Sequence, residues 1–558
     1  MNFSFDDIKS YTDGKAGLIV GLCEQIGVGQ VFDKHLTQHS GRPADISYGT
    51  LAQMMLVNMA DDHHPLSRLN DYFENVDLET LFNIPINRSK INDDRFGGFL
   101  DSMQNAGCGS IMSDIAVKAF TRYGIKLTSA NFDTTSKVMW GKYETDEGLQ
   151  GAIDITFGHS KQKRQDKKQI KFSMGTTQGI CFDGQVLSGN LDDKSFNVDN
   201  LDHTASLKER FNRASDEFFY IADSAAFTKD FLEKAKRLGI HIITRMPDNV
   251  SAAKAAIEHA LDTLNDMTSV EMKTSTKPSK YLISESICEY HDTPLKMAVC
   301  YSKSLEKTKR QTVKRGVIKE RATIDKLINR MSKRNFACET DAQLEITKIQ
   351  KQDLGKLEYH TVAISIDHQS IKRQGRPSKN PENNTSTSVY HLMIEPKENE
   401  AAVERKITKE CIFVVVSTAL SLTAEEILKE YKTQSAVERK FQFLKSLQFV
   451  NSLYVESPKR VEALGYLMLI LLLILSIAEH VVRRELATQS SYIIGPGKVK
   501  MPKPSLIAIY RIFYSVITST VTINGQIHRG YNQPLKDNVK TVMRYLGIPE
   551  SLFIRGSS

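Results

Sequence analysis

Sixteen consecutive residues without a charge, Ala463 to Ala478, read ALGYLMLILLLILSIA, closed off by Glu462 on one side and Glu479-His480 on the other. A helix of that length falls short of the roughly 20 apolar residues needed to cross a bilayer. A helix that is apolar all round and does not cross a membrane has to lie inside a core. The chain is therefore expected to build a domain around this segment. With 558 residues it can bury a large core without disulfide staples and divide into several domains. Its seven cysteines are scattered and none forms a C-x-x-C pair, which argues against a disulfide framework or a zinc ribbon. A reducing, cytoplasmic setting fits, and MNFSFDDIKS at the start lacks the apolar stretch of a secretory signal.

Charge is distributed unevenly. The formal net charge is +8, and the segment Lys303 to Arg334 alone holds twelve Lys/Arg against three acidic residues. A second cluster, HSKQKRQDKKQIK from His159 to Lys171, has six basic residues and one acidic. Clustered positive charge is the footprint of a polyanion partner, although a solvated helix face gives the same pattern. Neither stretch alternates with an aromatic apolar face, so neither reads as membrane-bound.

Along the chain, residues 1–125 show apolar residues at helical spacing and are expected to form a helical N-terminal domain. From 126 to 264 short β-rich runs give way to helix, strand (FFYIADS), helix and strand (IHIITRMP), the order of a mixed α/β sheet. Residues 265–405 break this rhythm with further strand-like runs and the basic segment, and read as a β-rich insertion. The α/β texture returns over 406–480, with the strand CIFVVVST and a capping box at Thr423 and Glu426. Residues 481–558 read as a helical tail.

The sharpest stripe lies in YKTQSAVERKFQFLK. If this is one helix, Tyr431, Gln434, Glu438 and Lys445 fall within about 60° of one another, while Val437, Phe441 and Leu444 lie on the flank expected to pack inward. An exposed surface face would show the same stripe. Asp133 and Asp223 each end an apolar strand-like run, where ligands of α/β sheets bind, though turns after strands often carry Asp. Asp154 sits within a strand-like run; Asp183, Asp192 and Asp193 look like turn residues. Trp140, the single tryptophan, reads as a packed core residue. Asp61-Asp62-His63-His64 reads as a polar turn before Pro65.

These motifs resemble the bacterial insertion-sequence transposases that carry a DDE triad on an RNase H-like core. The spacing Tyr-x2-Arg-x3-Glu-x6-Lys of the insertion-sequence-four group is matched by Tyr431, Gln434, Glu438 and Lys445, with Gln434 in place of Arg. FDTTS around Asp133 and IADSAAF around Asp223 look like the first and second aspartate motifs. The gap of about 215 residues between Asp223 and Glu438 matches the family's β-rich insertion. The resemblance implies that Asp133, Asp223 and Glu438 are catalytic and hold two Mg²⁺ ions, with Mn²⁺ able to substitute and Asp133 bridging. Such ions stabilise both the attacking and the leaving oxygen of an in-line displacement. Tyr431 and Lys445, with Gln434, Arg439 and Arg245, would contact DNA phosphates. Cleavage at transposon ends, strand transfer into target DNA and a homodimer on DNA are what the family implies. The loop Gln374-Gly375-Arg376-Pro377 resembles a minor-groove hook lacking its first Arg. Two other functions fit the same fold: an inactive or domesticated DNA-binding protein, and a metal-dependent nuclease without strand transfer.

Overall fold

The computed structural model describes residues 8–36, 45–61, 64–141, 143, 153–161, 163–211, 217–272, 278–371, 387–444, 455–523 and 526–556. The chain divides into two compact units: Met1–Thr244 with Tyr290–Thr293 and Glu430–Ser558, and Arg245–Glu289 with Pro294–Lys429.

The sheet of the first unit begins with three antiparallel strands. These are β1 (Ser129–Val138), β2 (Gln169–Thr177) and β3 (Ile180–Ser188). β2 and β3 form a hairpin whose turn residues, Gln178 and Gly179, both have positive φ. That pair of left-handed conformations matches the right-handed twist of the strands. Helix α1 (Asp193–Arg210) then crosses to β4 (Phe219–Ala222), and α2 (Lys229–Arg237) leads on to β5 (His241–Met246). β4 lies parallel to β1, and β5 parallel to β4. The spatial order β3-β2-β1-β4-β5 is that of an RNase H-like mixed sheet, the fold class expected from the sequence.

The long apolar run belongs to a helix twice its length. After α3 (Ala424–Lys432) and α4 (Ser435–Leu444), helix α5 spans Pro458–Thr488. At 31 residues it is long and apolar enough to cross a bilayer, but its most apolar stretch is 94% buried inside the protein, so it is a core helix. It packs on β3 and on the N-terminal helices Tyr48–Ala60, Asp93–Ala106 and Cys108–Tyr123. Two glycines permit the close approach to the sheet. A Cβ on Gly465 would stand 2.8 Å from Val186 Cγ2, and one on Gly184 would stand 3.0 Å from the methyls of Leu469. Those separations are below ordinary contact, so any side chain at either position would push helix and sheet apart.

The last eighty residues are not purely helical. Strands Thr518–Ile523 and Gln526–Tyr531 form a hairpin, and the first of them pairs with Ile8–Tyr11 from the start of the chain. The helical periodicity of neighbouring segments hides these short exposed strands.

In the second unit, the strand Ile412–Ser417 pairs antiparallel with Thr293–Ser302, and Thr268–Met272 pairs with Ser279–Tyr290. A separate ribbon pairs His360–Ile371 with Thr387–Glu398. The basic segment forms a helix, Glu306–Met331, which buries Val313, Val317, Ile324, Leu327 and Met331 and leaves most of its other residues to solvent. Several of its cations are already paired: Lys309 with Glu410, Arg310 with Glu404, and Arg330 with Asp353. The capping box at Thr423 is formed, with Thr423 N donating to Glu426 at 2.9 Å and Glu426 N to Thr423 at 3.3 Å. Residues 374–377 lie outside the described residues.

Candidate active site

Asp133 lies inside β1, whose antiparallel pairing with β2 continues through Val138; the sequence placed it at a strand end. The expectation holds against the other neighbour. The parallel ladder between β1 and β4 stops at Asn131 opposite Ile221. Two residues past that last pair stand Asp133, still within β1, and Asp223, which follows the end of β4 and caps the short turn after it. Their charges act on each other. Burial pushes the Asp133 carboxyl above its ordinary value, Lys161 and the Thr134 N–H pull it back, and Asp223 adds to the rise. Asp223 is exposed and accepts from Ala225 N at 2.9 Å, while Thr244 Oγ1 donates to its backbone carbonyl at 2.6 Å.

Glu438 stands in the first turn of α4, and here the sequence reading needs correction. Tyr431 and Gln434 do not share a helix with Glu438, because the chain breaks between α3 and α4 at Thr433-Gln434. Thr433 accounts for the break. Its hydroxyl lies 2.6 Å from the Glu430 carbonyl and 3.0 Å from Asn131 Oδ1, which ties the junction to β1. From there α4 runs over β1 and β2. Val437, Phe441 and Leu444 are buried as expected, and Glu438 and Arg439 are exposed. Lys440 anchors the helix from its inner side. Its ammonium lies 2.6 Å from Glu479 on α5, which also pairs with Arg483 at 2.7 Å. Burial would raise the Glu479 carboxyl, but Lys440 and Arg483 hold it below the usual range.

The other expected residues lie on several elements. Tyr431 ends α3, Gln434 lies in the break, and Lys445 lies outside the described residues. Arg245 pairs with Asp248 at 3.0 Å and sits over the Phe413 ring. Trp140 is no core residue: it is 62% exposed, with Arg164 and Lys167 over its ring. Asp61 pairs with Lys15, and His64 packs against Asn58 and Tyr72.

Asp183 and Asp193, read as turn residues from the sequence, and Lys171 and Lys161, read only as part of a basic cluster, have definite partners in the structure. Asp193 is the first residue of α1 rather than a turn residue. It accepts from Thr134 Oγ1 at 2.7 Å and from the buried Lys171 at 3.0 Å. This cluster clamps β1 and β2 to the start of α1. A lysine inside the apolar strand IKFSM was the available signal, because a buried ammonium needs a carboxylate. Asp183 lies in β3 and pairs with His203 at 2.9 Å. The cation nearest Asp133 is Lys161, whose Nζ lies 3.3 Å from Oδ1.

Among the described residues, no three His, Cys, Asp or Glu side chains stand close enough together to hold a metal ion. The chemistry of the donors nevertheless suits a hard divalent cation, which prefers carboxylate oxygens. Asp133 stays raised despite Lys161, so more positive charge beside it would be favourable.

The family described as "Transposase DDE domain" matches residues 152–474, more than half of the chain. The chain belongs to the DDE transposases. A domain of unknown function (DUF4277) matches residues 9–117, the N-terminal helices of this transposase. Asp223 and Glu438 fall inside the transposase match and Asp133 precedes it. DDE transposases generally use divalent metal ions, in keeping with the donor set. No curated protein matches the chain. The solved piggyBac transposase synaptic complex with hairpin DNA is similar at 10% identity and a TM-score of 0.35, over 89% of this chain and 79% of that one, a likeness too slight to bear on the argument.

Proposed function

We propose that this transposase is of the bacterial insertion-sequence-four type, cutting DNA at transposon ends and joining the freed 3′ end to target DNA. The observation that carries the reading is the placement of Asp133 and Asp223, each two residues past the end of the parallel ladder, with their charges coupled. Glu438, in the first turn of α4, would be the third carboxylate; α4 packs on β1 and β2, and Thr433 ties its start to Asn131. These three residues would hold Mg²⁺, which when bound lowers the charge cost at the attacking and leaving oxygens. The chain's own contribution is placement. β1 holds Asp133, the end of β4 leads into Asp223, and the Lys440–Glu479 pair anchors the helix that carries Glu438. Arg439, exposed beside Glu438, would meet a DNA phosphate. The protein works in the cytoplasm as a homodimer that pairs two transposon ends.

The test incubates the purified protein with Mg²⁺, DNA carrying both ends of its element, and a target plasmid. Joined products support the reading. End cleavage without joining identifies a nuclease, and binding without cleavage identifies an inactive DNA-binding protein.

A further inference from the structure

We infer that Lys161 is a built-in counter-ion of Asp133 that a divalent cation must displace, so that this one side chain sets how tightly the site takes metal. The inference rests on the reading of Asp133 as a metal-holding residue.

Lys161 belongs to the segment between Thr156 and Gln169, whose described residues form no helix or strand, and it is held to β1 at two levels. Its backbone N–H donates to Ser136 Oγ at 2.9 Å, and Ser136 is fully buried. Its ammonium donates to the Thr134 carbonyl at 2.6 Å, lies 3.3 Å from Asp133 Oδ1, and reaches Thr134 Oγ1 at 3.4 Å. An ammonium has three protons, and these three oxygens account for them. Asp193 is a more distant neighbour, 3.8 Å away, and already has Lys171 at 3.0 Å. Of the two carboxylates near Lys161, Asp133 is therefore the one that depends on it for charge.

Position and mobility differ between the two lysines around this cluster. Lys171 is buried in β2 and donates to both Asp193 and the Leu191 carbonyl, so it is a fixed part of the fold. The Lys161 side chain is 36% exposed and has solvent into which it can swing. A divalent cation bound at Asp133 would come within a few ångströms of the ammonium. Two like charges at that range repel, and the longer, more exposed side chain is the one that yields. Metal binding therefore carries the cost of breaking the Lys161–Asp133 ion pair. A DNA phosphate arriving with the substrate would give the displaced ammonium a new partner.

The experiment uses the full-length protein without DNA, titrated with Mn²⁺, with free ion followed by its paramagnetic resonance signal. The variants are Lys161→Gln, Lys161→Arg and Asp133→Asn. The expected result is about two- to fivefold tighter Mn²⁺ binding by Lys161→Gln, the upper range of a partly exposed ion pair, with Lys161→Arg close to wild type and Asp133→Asn losing the site. Thermal unfolding gives a second readout. Without metal, Lys161→Gln should melt below wild type, and saturating Mn²⁺ should close that gap. Unchanged or weaker Mn²⁺ binding by Lys161→Gln, with Asp133→Asn still losing the site, overturns the counter-ion role alone. If Asp133→Asn binds Mn²⁺ like wild type, the reading of Asp133 as a metal residue fails as well.

Discussion

Replacing Lys440 by Met should loosen the helix that carries Glu438 while leaving the sheet intact. The Lys440 and Glu479 side chains are only 9% and 13% exposed, and their charged atoms are 2.6 Å apart. Breaking a buried ion pair by removing one partner generally costs about 3–5 kcal/mol. The lower end applies here, because Glu479 keeps Arg483 at 2.7 Å and the Leu506 N–H at 3.1 Å, and Met preserves the apolar stem. A loss of about 3 kcal/mol in urea unfolding is expected. With α4 no longer pinned to α5, Glu438, two residues away, loses its placement, and kcat for end cleavage should fall about ten- to a hundredfold. A double-mutant cycle with Glu479→Gln isolates the pair, and a coupling of at least about 1.5 kcal/mol is expected. The pH dependence has a definite sign. Glu479 is held below its ordinary value of 4.5 in the folded state. The stability it contributes is present above that value and is lost as pH falls through the depressed one. Wild type and Lys440→Met should therefore converge in acid. Additive single mutants, or a constant difference from pH 7 down to pH 3, would refute the anchoring argument.

Asp13 is 2% exposed, and burial, reinforced by the charge of Asp77, pushes its carboxyl from 3.8 up to about 7. Because the folded value is raised, stability is greatest below pH 4 and falls until about pH 7, by on the order of 4 kcal/mol; Asp13→Asn should remove that slope in unfolding curves taken across the window. Leu472→Ala, at a fully buried position of α5, should cost about 2–5 kcal/mol in the same assay. In the basic helix, Lys307, Lys314 and Arg315 are exposed, whereas Lys309 and Arg310 have carboxylate partners. Replacing the first three by Gln should flatten the log–log salt dependence of DNA binding by up to about 2.7, at about 0.9 for each phosphate no longer neutralised; Gln at Lys309 and Arg310 should change it less, and a line overlaying wild type removes this helix from the DNA surface.

What the sequence disclosed follows from the range of the forces involved. The core helix was legible because sixteen uncharged residues in a row mark a segment that must leave water; its true length was not, because charged residues flank the run on both sides. The RNase H-like sheet was legible because strand and helix periodicities alternate cleanly over 126–264. The break at Thr433 was not, since helical spacing runs through it unbroken, and the contact that ties it to β1 is with Asn131, some three hundred residues away in the chain. The same applies to Lys161: in a run of six basic residues nothing local marks the one that reaches back to Asp133. Trp140 was misread because burial was inferred from residue type, while its ring is exposed beneath two cations of that same run. The hairpin near the end was hidden among helical segments, and the third strand of its sheet lies at the other end of the chain.

The central claim is that Asp133, Asp223 and Glu438 together cut DNA. Glu438→Gln tests it most directly, because Glu438 is exposed and the change removes a charge with little change of size. End binding and end cleavage are measured on the same DNA in Mg²⁺. Binding within about threefold of wild type with cleavage reduced at least about a thousandfold, a transition-state loss of about 4 kcal/mol, is the expected result. Cleavage at the wild-type rate by Glu438→Gln would contradict the account.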